Sequence, residues 1–336
     1  MLQRTLETRQ PPVPVIAGLA LPVWRLIILA LALAVLAAIP FALKNFYIFQ
    51  ITLAIIYAVA ILGLNLLTGF NGQFSLGHSA FYAIGAYTAA IMMENLGIDY
   101  VWTLPAAAGV CFVFGFLFGL PALRLEGVYL ALATFALAIA IPQVLKSTVL
   151  EHWTGGVQGI VIIKPDAPFG LPLNSDQWLY IFTVLVALVM YVCAANLVKS
   201  RTGRALVAIR DHPVAASAMG INVSLYKSLT FGVSALYTGV AGALGAIAIA
   251  FVAPDSFTFV LAVALFVGLV VGGVASIPGT LVGGLFVLFV PNIAESVSKG
   301  LAGAVYGVIL LVVIYLMPTG AAGLVRLGIS KLVQRR

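Results

Sequence analysis

The chain has 336 residues, of which 63% are hydrophobic and 8% charged, with a net charge of +7 and a mean hydropathy of +1.16. A soluble domain carries about 25% charged residues, and so few charges would leave large apolar patches facing water. A soluble enzyme, a nucleic-acid-binding domain and a disordered chain are excluded, and the bilayer is the solvent.

A membrane-crossing helix needs about 20 mostly apolar residues. The N-terminus carries Arg4 and Arg9 and then Pro11, Pro12 and Pro14 ahead of an apolar run ending near Leu43. That run exceeds the roughly 7–15 residues of a signal-peptide core, so it reads as an uncleaved first span. Ten spans are predicted, at 24–43, 47–68, 74–93, 101–121, 128–146, 178–198, 228–252, 258–275, 279–295 and 302–320. The eighth and ninth are glycine-rich and separated only by Ser276-Ile277-Pro278, which leaves full crossing and re-entrance both open.

Ten spans put both termini on one side, and basic residues concentrate on the cytoplasmic side of membrane proteins. With the N-terminus in the cytoplasm, thirteen of the seventeen lysines and arginines fall inside. Only Lys44, Lys146, Lys164 and Lys299 fall outside. The predicted fold is therefore an all-α polytopic membrane protein of about ten transmembrane helices with glycine-broken segments. It has a cytoplasmic tail at 1–23, a membrane domain at 24–320 and a basic cytoplasmic tail at 321–336. Residues 147–177 form an external loop and residues 199–227 a cytoplasmic one.

Every Asp, Glu, Lys and Arg maps to a loop or a span end, and only His78 is ionisable and deep. Ion-coupled carriers place charges near mid-bilayer, so this pattern disfavours an ion-coupled carrier while allowing passage of a net-neutral polar solute. Cys111 and Cys193 lie in apolar runs without metal-ligand spacing and read as packing residues. No metal site or catalytic constellation is present in the pattern.

The second and third spans meet at residues 63–81, GLNLLTGFNGQFSLGHSAF, where Gly69, Gly72 and Gly77 alternate with Asn65, Thr68, Asn71, Gln73, Ser75, His78 and Ser79. The Asn71-Gly72 pair predicts a break. If the helix resumes at Phe74, Ser75, His78, Ser79 and Tyr82 share one face. Broken helices facing a cavity meet polar solutes, which makes Asn65, Asn71, Gln73, Ser75, His78, Ser79 and Tyr82 candidates for the substrate pathway. The competing reading is that these side chains bond neighbouring helices while the glycines permit close packing. A weaker hint of an internal repeat comes from a second glycine string, Gly268 to Gly284.

In the 199–227 loop, Arg204 to Ile209 and Val214 to Met219 are helix-compatible pieces around Pro213, with Gly220 as a stop. Two roles fit: an amphipathic helix on anionic headgroups, or a docking helix for a cytoplasmic partner. The external loop carries Glu151, Asp166 and Asp176 with Thr154-Gly155-Gly156 and could meet a soluble partner or cover the bundle.

The 63–81 stretch resembles the hallmark of the branched-chain amino-acid ABC transporter permeases. Residues 203–212 (GRALVAIRDH) and 215–227 (AASAMGINVSLYK) resemble their cytoplasmic loop, the LivM-type subunit in particular. Residues 130–134, Thr154 to Gly156, Gly159, Ser256-Phe257, Gly272-Gly273 and 317–320 extend the similarity, in order, from about residue 47 to 324. The resemblance implies a non-catalytic subunit of an importer in the bacterial inner (plasma) membrane. Its partners would be a second, LivH-like permease, two cytoplasmic ABC ATPases that use the ATP, and an extracytoplasmic binding protein, with no nucleic acid. It assigns ATPase coupling to Gly203, Arg204, Arg210, Ala215, Ala216 and Gly220, and binding-protein docking to Thr154, Gly155, Gly156 and Asp166. Val214 departs from the acidic residue common before the alanine pair, an Ile-x-Leu-Pro ending is absent, and Ala264 stands where many relatives carry a glutamate. The chain holds no Gly-x-x-x-x-Gly-Lys-Ser/Thr string and no cofactor is expected in it. The alternative function is a passive channel for a small neutral solute such as urea or a short amide.

Overall fold

The structure, a computed structural model, describes residue 36 and residues 38–323 apart from 126, 169–171, 298–299 and 318–319. Most of the predicted first span, the tail at 1–23 and nearly all of the C-terminal tail lie outside the described residues.

The helices are α1 (Asn45–Leu64), α2 (His78–Glu94), α3 (Tyr100–Ala122), α4 (Val128–Leu145), α5 (Ser175–Lys199) and α6 (Arg201–Asp211). They continue as α7 (Pro213–Ala218), α8 (Val223–Ile249), α9 (Phe259–Gly272), α10 (Gly279–Val297) and α11 (Ala302–Leu316). A π-helical turn, Asn65–Phe70, prolongs α1. Among the described residues, helices occupy nine of the ten predicted span positions, and residues 38–42 of the remaining first span are helical as well. Among the described residues seven are long and apolar enough to cross a membrane. At 1.5 Å per residue the 17 residues of α2 reach about 26 Å and the 15 of α11 about 23 Å, short of the roughly 30 Å hydrocarbon core.

One predicted boundary is corrected. The third span begins at His78, not Phe74, because residues 71–77 stay unwound. Gly72 takes a left-handed φ of +74° that continues no helix. The Leu76 N–H then donates to Thr134 Oγ1 of α4 at 2.9 Å, and Ser75 Oγ accepts from the Gly77 N–H at 3.3 Å.

Burial sorts the helices into a centre and a rim. The most apolar stretches of Asn45–Phe70 and Val223–Ile249 are 78% and 83% buried, whereas that of α5 is 17% buried, so α1 and α8 form the core of the bundle. On α3, Ala107, Cys111, Gly115 and Gly119 point inward while Val110, Val113, Phe114 and Leu117 are exposed. Small residues inside and large apolar ones outside invert the soluble pattern. They suit a helix that packs by close backbone approach and faces lipid on its other side.

The connections alternate between two ends. At one end Asn95 Nδ2 donates to the Trp153 carbonyl, Lys146 pairs with Asp255, and a two-stranded ladder joins Ile160–Val161 (β1) to Phe251–Val252 (β2). At the other end α6 lies against the turn that follows α1, and α7 follows it. Arg201 to Asp211 and Pro213 to Ala218 are helical on either side of His212, and Gly220 has a φ of +83°.

The closest packing joins α2 to α8. A Cβ at Gly85 would collide with the Gly239 carbonyl oxygen, and one at Gly242 with the Tyr82 carbonyl. G85A should therefore lower stability by about 1–3 kcal/mol, the usual cost of overpacking. G109A, whose added carbon meets nothing within 4 Å, should not. Thermal melts of the detergent-purified variants check this.

Candidate functional site

The site grows from the unwound segment. In a helix interior a backbone break exposes N–H and C=O groups that lipid cannot satisfy, so side chains from distant elements must do so. Asn65, fully buried, supplies the first tie. Its Nδ2 donates to the Ser276 carbonyl at 3.0 Å and its Oδ1 accepts from the Ala275 N–H at 2.9 Å. Ala275 sits at a φ of +58°, sparsely allowed for a residue with a Cβ, and this two-bond clamp helps to hold it. Gly69 must be glycine here, since a Cβ would strike Asn65 Oδ1 and approach the Ala275 nitrogen to 2.6 Å.

The second tie runs through His78. Ser234 Oγ lies 2.6 Å from the Gly63 carbonyl, to which only its O–H can donate, so Ser234 Oγ accepts from His78 Nε2–H at 2.7 Å. His78 Nδ1 is then a lone pair that accepts from Ser75 Oγ at 3.0 Å. The imidazole is buried, packed edge-on against Phe81, and has both nitrogens engaged within the protein.

The third tie comes from the loop helices. Arg210 Nη1 donates to the Gly69 carbonyl at 2.9 Å, and its Nε donates to Asp211 Oδ1 at 2.9 Å. Gly72 packs on the Arg210 stem, where a Cβ would lie 2.7 Å from Cγ. Gln73 Nε2 donates to the Lys227 carbonyl at 3.4 Å, closing the segment onto the start of α8.

The candidate pathway residues therefore separate. Asn65, Ser75 and His78 sit in the ties. Asn71 and Gln73 line a cleft of about 180 Å³ with Phe74, Leu125, Arg210 and Lys227. Asn71 is 2% exposed and neither of its side-chain polar atoms has a partner. Ser79 is fully enclosed, with its hydroxyl likewise unpartnered. Tyr82 belongs to an aromatic group, stacked on Tyr57 at 6.3 Å and tilted on Phe257 at 5.9 Å. Its hydroxyl lies against Gly245.

Of the candidate coupling residues, Gly203 is buried against the Val198 carbonyl, and Ala216 is buried. Arg204, Ala215 and Gly220 are exposed. Beside them Val214 and Met219 are 81% and 84% exposed, apolar side chains on a loop rather than on a lipid-facing span. At the other end Thr154 is buried, its Oγ1 sharing its one proton between the Leu145 and Leu150 carbonyls at 2.8 and 3.0 Å and accepting from the Gly156 N–H. Gly155 and Gly156, at φ +68° and +55°, build that turn, while Asp166 is exposed and accepts from Ser175 Oγ at 2.9 Å. No group of three or more His, Cys, Asp or Glu side chains that could hold a metal occurs among the described residues.

Two partners escaped the sequence reading. Thr134 ends the 130–134 stretch, whose sequence gives no hint of its target. Ser234 belongs to a polar row on α8 with Thr230 and Thr238, four residues to either side. That spacing is a usable signal for an inward-facing polar stripe.

A polytopic helical bundle with a broken-helix core and an ordered basic loop at one end is the class that this geometry defines. The family described as "Branched-chain amino acid transport system / permease component" matches residues 46–315, and the chain belongs to that family. It is 33% identical over 279 residues to the high-affinity branched-chain amino acid transport system permease protein LivM of Salmonella typhimurium, covering 75% of this chain and 64% of that protein. Against LivM of Escherichia coli K12 it is 34% identical over 273 residues, covering 73% and 63%. Against LivH of the same strain it is 28% identical over 300 residues, covering 81% and 93%. The alignment thus spans less than two thirds of the length of the LivM relatives. No solved structure matches.

Ser234→Ala removes the acceptor for His78 Nε2–H and the donor to the Gly63 carbonyl in a buried site. The expected loss is about 1–3 kcal/mol, the cost of a buried unsatisfied group, measured as a lowered midpoint in thermal unfolding of the purified protein.

Proposed function

We propose that this chain is an integral-membrane permease subunit of an ATP-driven importer for branched-chain or related amino acids. The observation that carries this is the family match over 46–315, which contains both the unwound segment and the loop helices. Two relatives named LivM and LivH point to a pairing of two permeases. The chain lacks a P-loop string, so ATP is consumed by cytoplasmic ATPase partners, and an extracytoplasmic binding protein delivers the solute. Ala264 in place of a glutamate leaves the amino-acid side chain that is favoured unassigned.

The chain lies in a bacterial inner membrane, with ten spans and both termini cytoplasmic. The charge distribution supports this orientation, since the end bearing Arg124, Arg204 and Arg210 holds the basic majority. That end then faces the ATPases, and exposed Val214 and Ala215 of α7, with Met219 just after it, are the docking surface. The opposite end, with Asp166 and the turn at Thr154 to Gly156, faces the binding protein. Solute passes beside the broken helices by alternating access.

Reconstitution tests the whole reading. Uptake that requires ATP, ATPases and binding protein is the expected result. Uptake by this chain alone without ATP contradicts it and favours a passive channel. Met219→Glu should weaken ATPase capture by about tenfold, equivalent to about 1.4 kcal/mol at an interface contact, without moving the thermal midpoint. Pull-down titration measures it.

A further inference from the structure

We propose that Arg210 is a positioning residue that carries movement of the loop helices into both broken-helix turns of the core, through the π-turn at Asn65–Phe70. This rests on the reading of the chain as the permease of an ATP-driven importer.

The π-turn is the element that the Asn65 and Arg210 ties share. Its last part offers the Gly69 carbonyl, one of the helix-end carbonyls that lack an intrahelical donor, and Arg210 supplies that donor from 141 residues away. A cation at a helix C-terminus also complements the dipole there. One turn earlier, Asn65 grips Ala275 and Ser276, the turn between α9 and α10. Displacing Arg210 therefore pulls on the 65–70 turn, and that turn cannot move without Asn65 dragging or releasing 273–278.

Arg210 is itself well coupled to its own helix. Leu206 and Ile209 are buried, so α6 is anchored on that face, while Asp211 fixes the guanidinium. The Arg210 stem fills the space against Gly72, where no side chain fits, so loop motion meets the turn without slack.

The segment also carries the marks of a second arrangement. Six π-helical residues inside a span are an uncommon backbone that recurs at functional sites. Asn71, directly after them, is buried with its carboxamide oxygen and nitrogen both unpartnered, so no side-chain hydrogen bond within the described residues fixes it in this arrangement. It borders the cleft of about 180 Å³, which gives the turn room to shift. An element with two arrangements that two sites bias is what long-range coupling requires.

The test uses the full complex with its ATPases and binding protein in proteoliposomes, reading solute moved per ATP hydrolysed. R210Q removes the charge and the two-pronged grip at an exposed position. The expected result is an assembled complex whose ratio falls by about 5- to 150-fold, the range of allosteric couplings. R210K, which keeps one donor, should fall between R210Q and wild type. An assembled R210Q with the wild-type ratio overturns the proposal. If R210Q does not assemble, a wild-type ratio in R210K overturns it. If the wild-type complex shows no ATP-dependent uptake, the importer reading fails by itself. Amide hydrogen exchange of the purified chain then decides the Arg210 link. Faster exchange at residues 65–73 in R210Q supports it, and unchanged exchange refutes it.

Discussion

Inside a bilayer there is no water to receive a freed peptide group, so a helix that unwinds must find its partners within the protein. Residues 71–77 of this chain do unwind, directly after the π-helical turn at 65–70, and much of the remaining architecture answers that demand. Thr134 of α4 caps the Leu76 amide, Ser234 of α8 completes the His78 chain, Asn65 binds the 273–278 turn, and Arg210 of α6 covers the Gly69 carbonyl. Four elements scattered over most of the sequence converge on one short stretch.

Convergence at these distances requires backbones in near contact, which explains where small residues gather. Gly85, Gly239 and Gly242 let α2 and α8 interlock, and Gly272 and Gly279 do the same for the turn between α9 and α10. On the rim helices large apolar side chains such as Val113, Phe114 and Leu117 of α3 face outward, where lipid accepts them. The bundle is thus held by close packing and hydrogen bonds rather than by exclusion of water. Among the described residues the charges lie at the two ends of the bundle, and the loop helices stand at one of them.

Much of this was legible in the sequence, and the failures have physical causes. Composition and span length gave the helical membrane class. Asn71-Gly72 gave the break, and Pro213 and Gly220 gave the division and end of the loop helices. The start of α2 was misplaced at Phe74 because helix periodicity extends across Ser75. The Thr134 hydroxyl that stabilises the unwound form sits 58 residues away. The π-turn has no local signature, since Asn65 to Phe70 are compatible with an ordinary helix. Sequence also treated the 63–82 polar residues as one group, whereas folding gives Asn65 and His78 bonding roles and sends Asn71 and Gln73 to the cleft. The targets of Ser234 and Arg210 lie 171 and 141 residues distant, beyond any local pattern.

The central claim is that residues 71–77 are unwound and yet locked by distant side chains. Site-resolved amide exchange of the wild-type protein in lipid nanodiscs tests it most directly. The account predicts that the amide of Leu76, bonded to Thr134, is protected as strongly as amides within α1 and α2. Exchange there as fast as in an exposed loop such as 95–99 would contradict it.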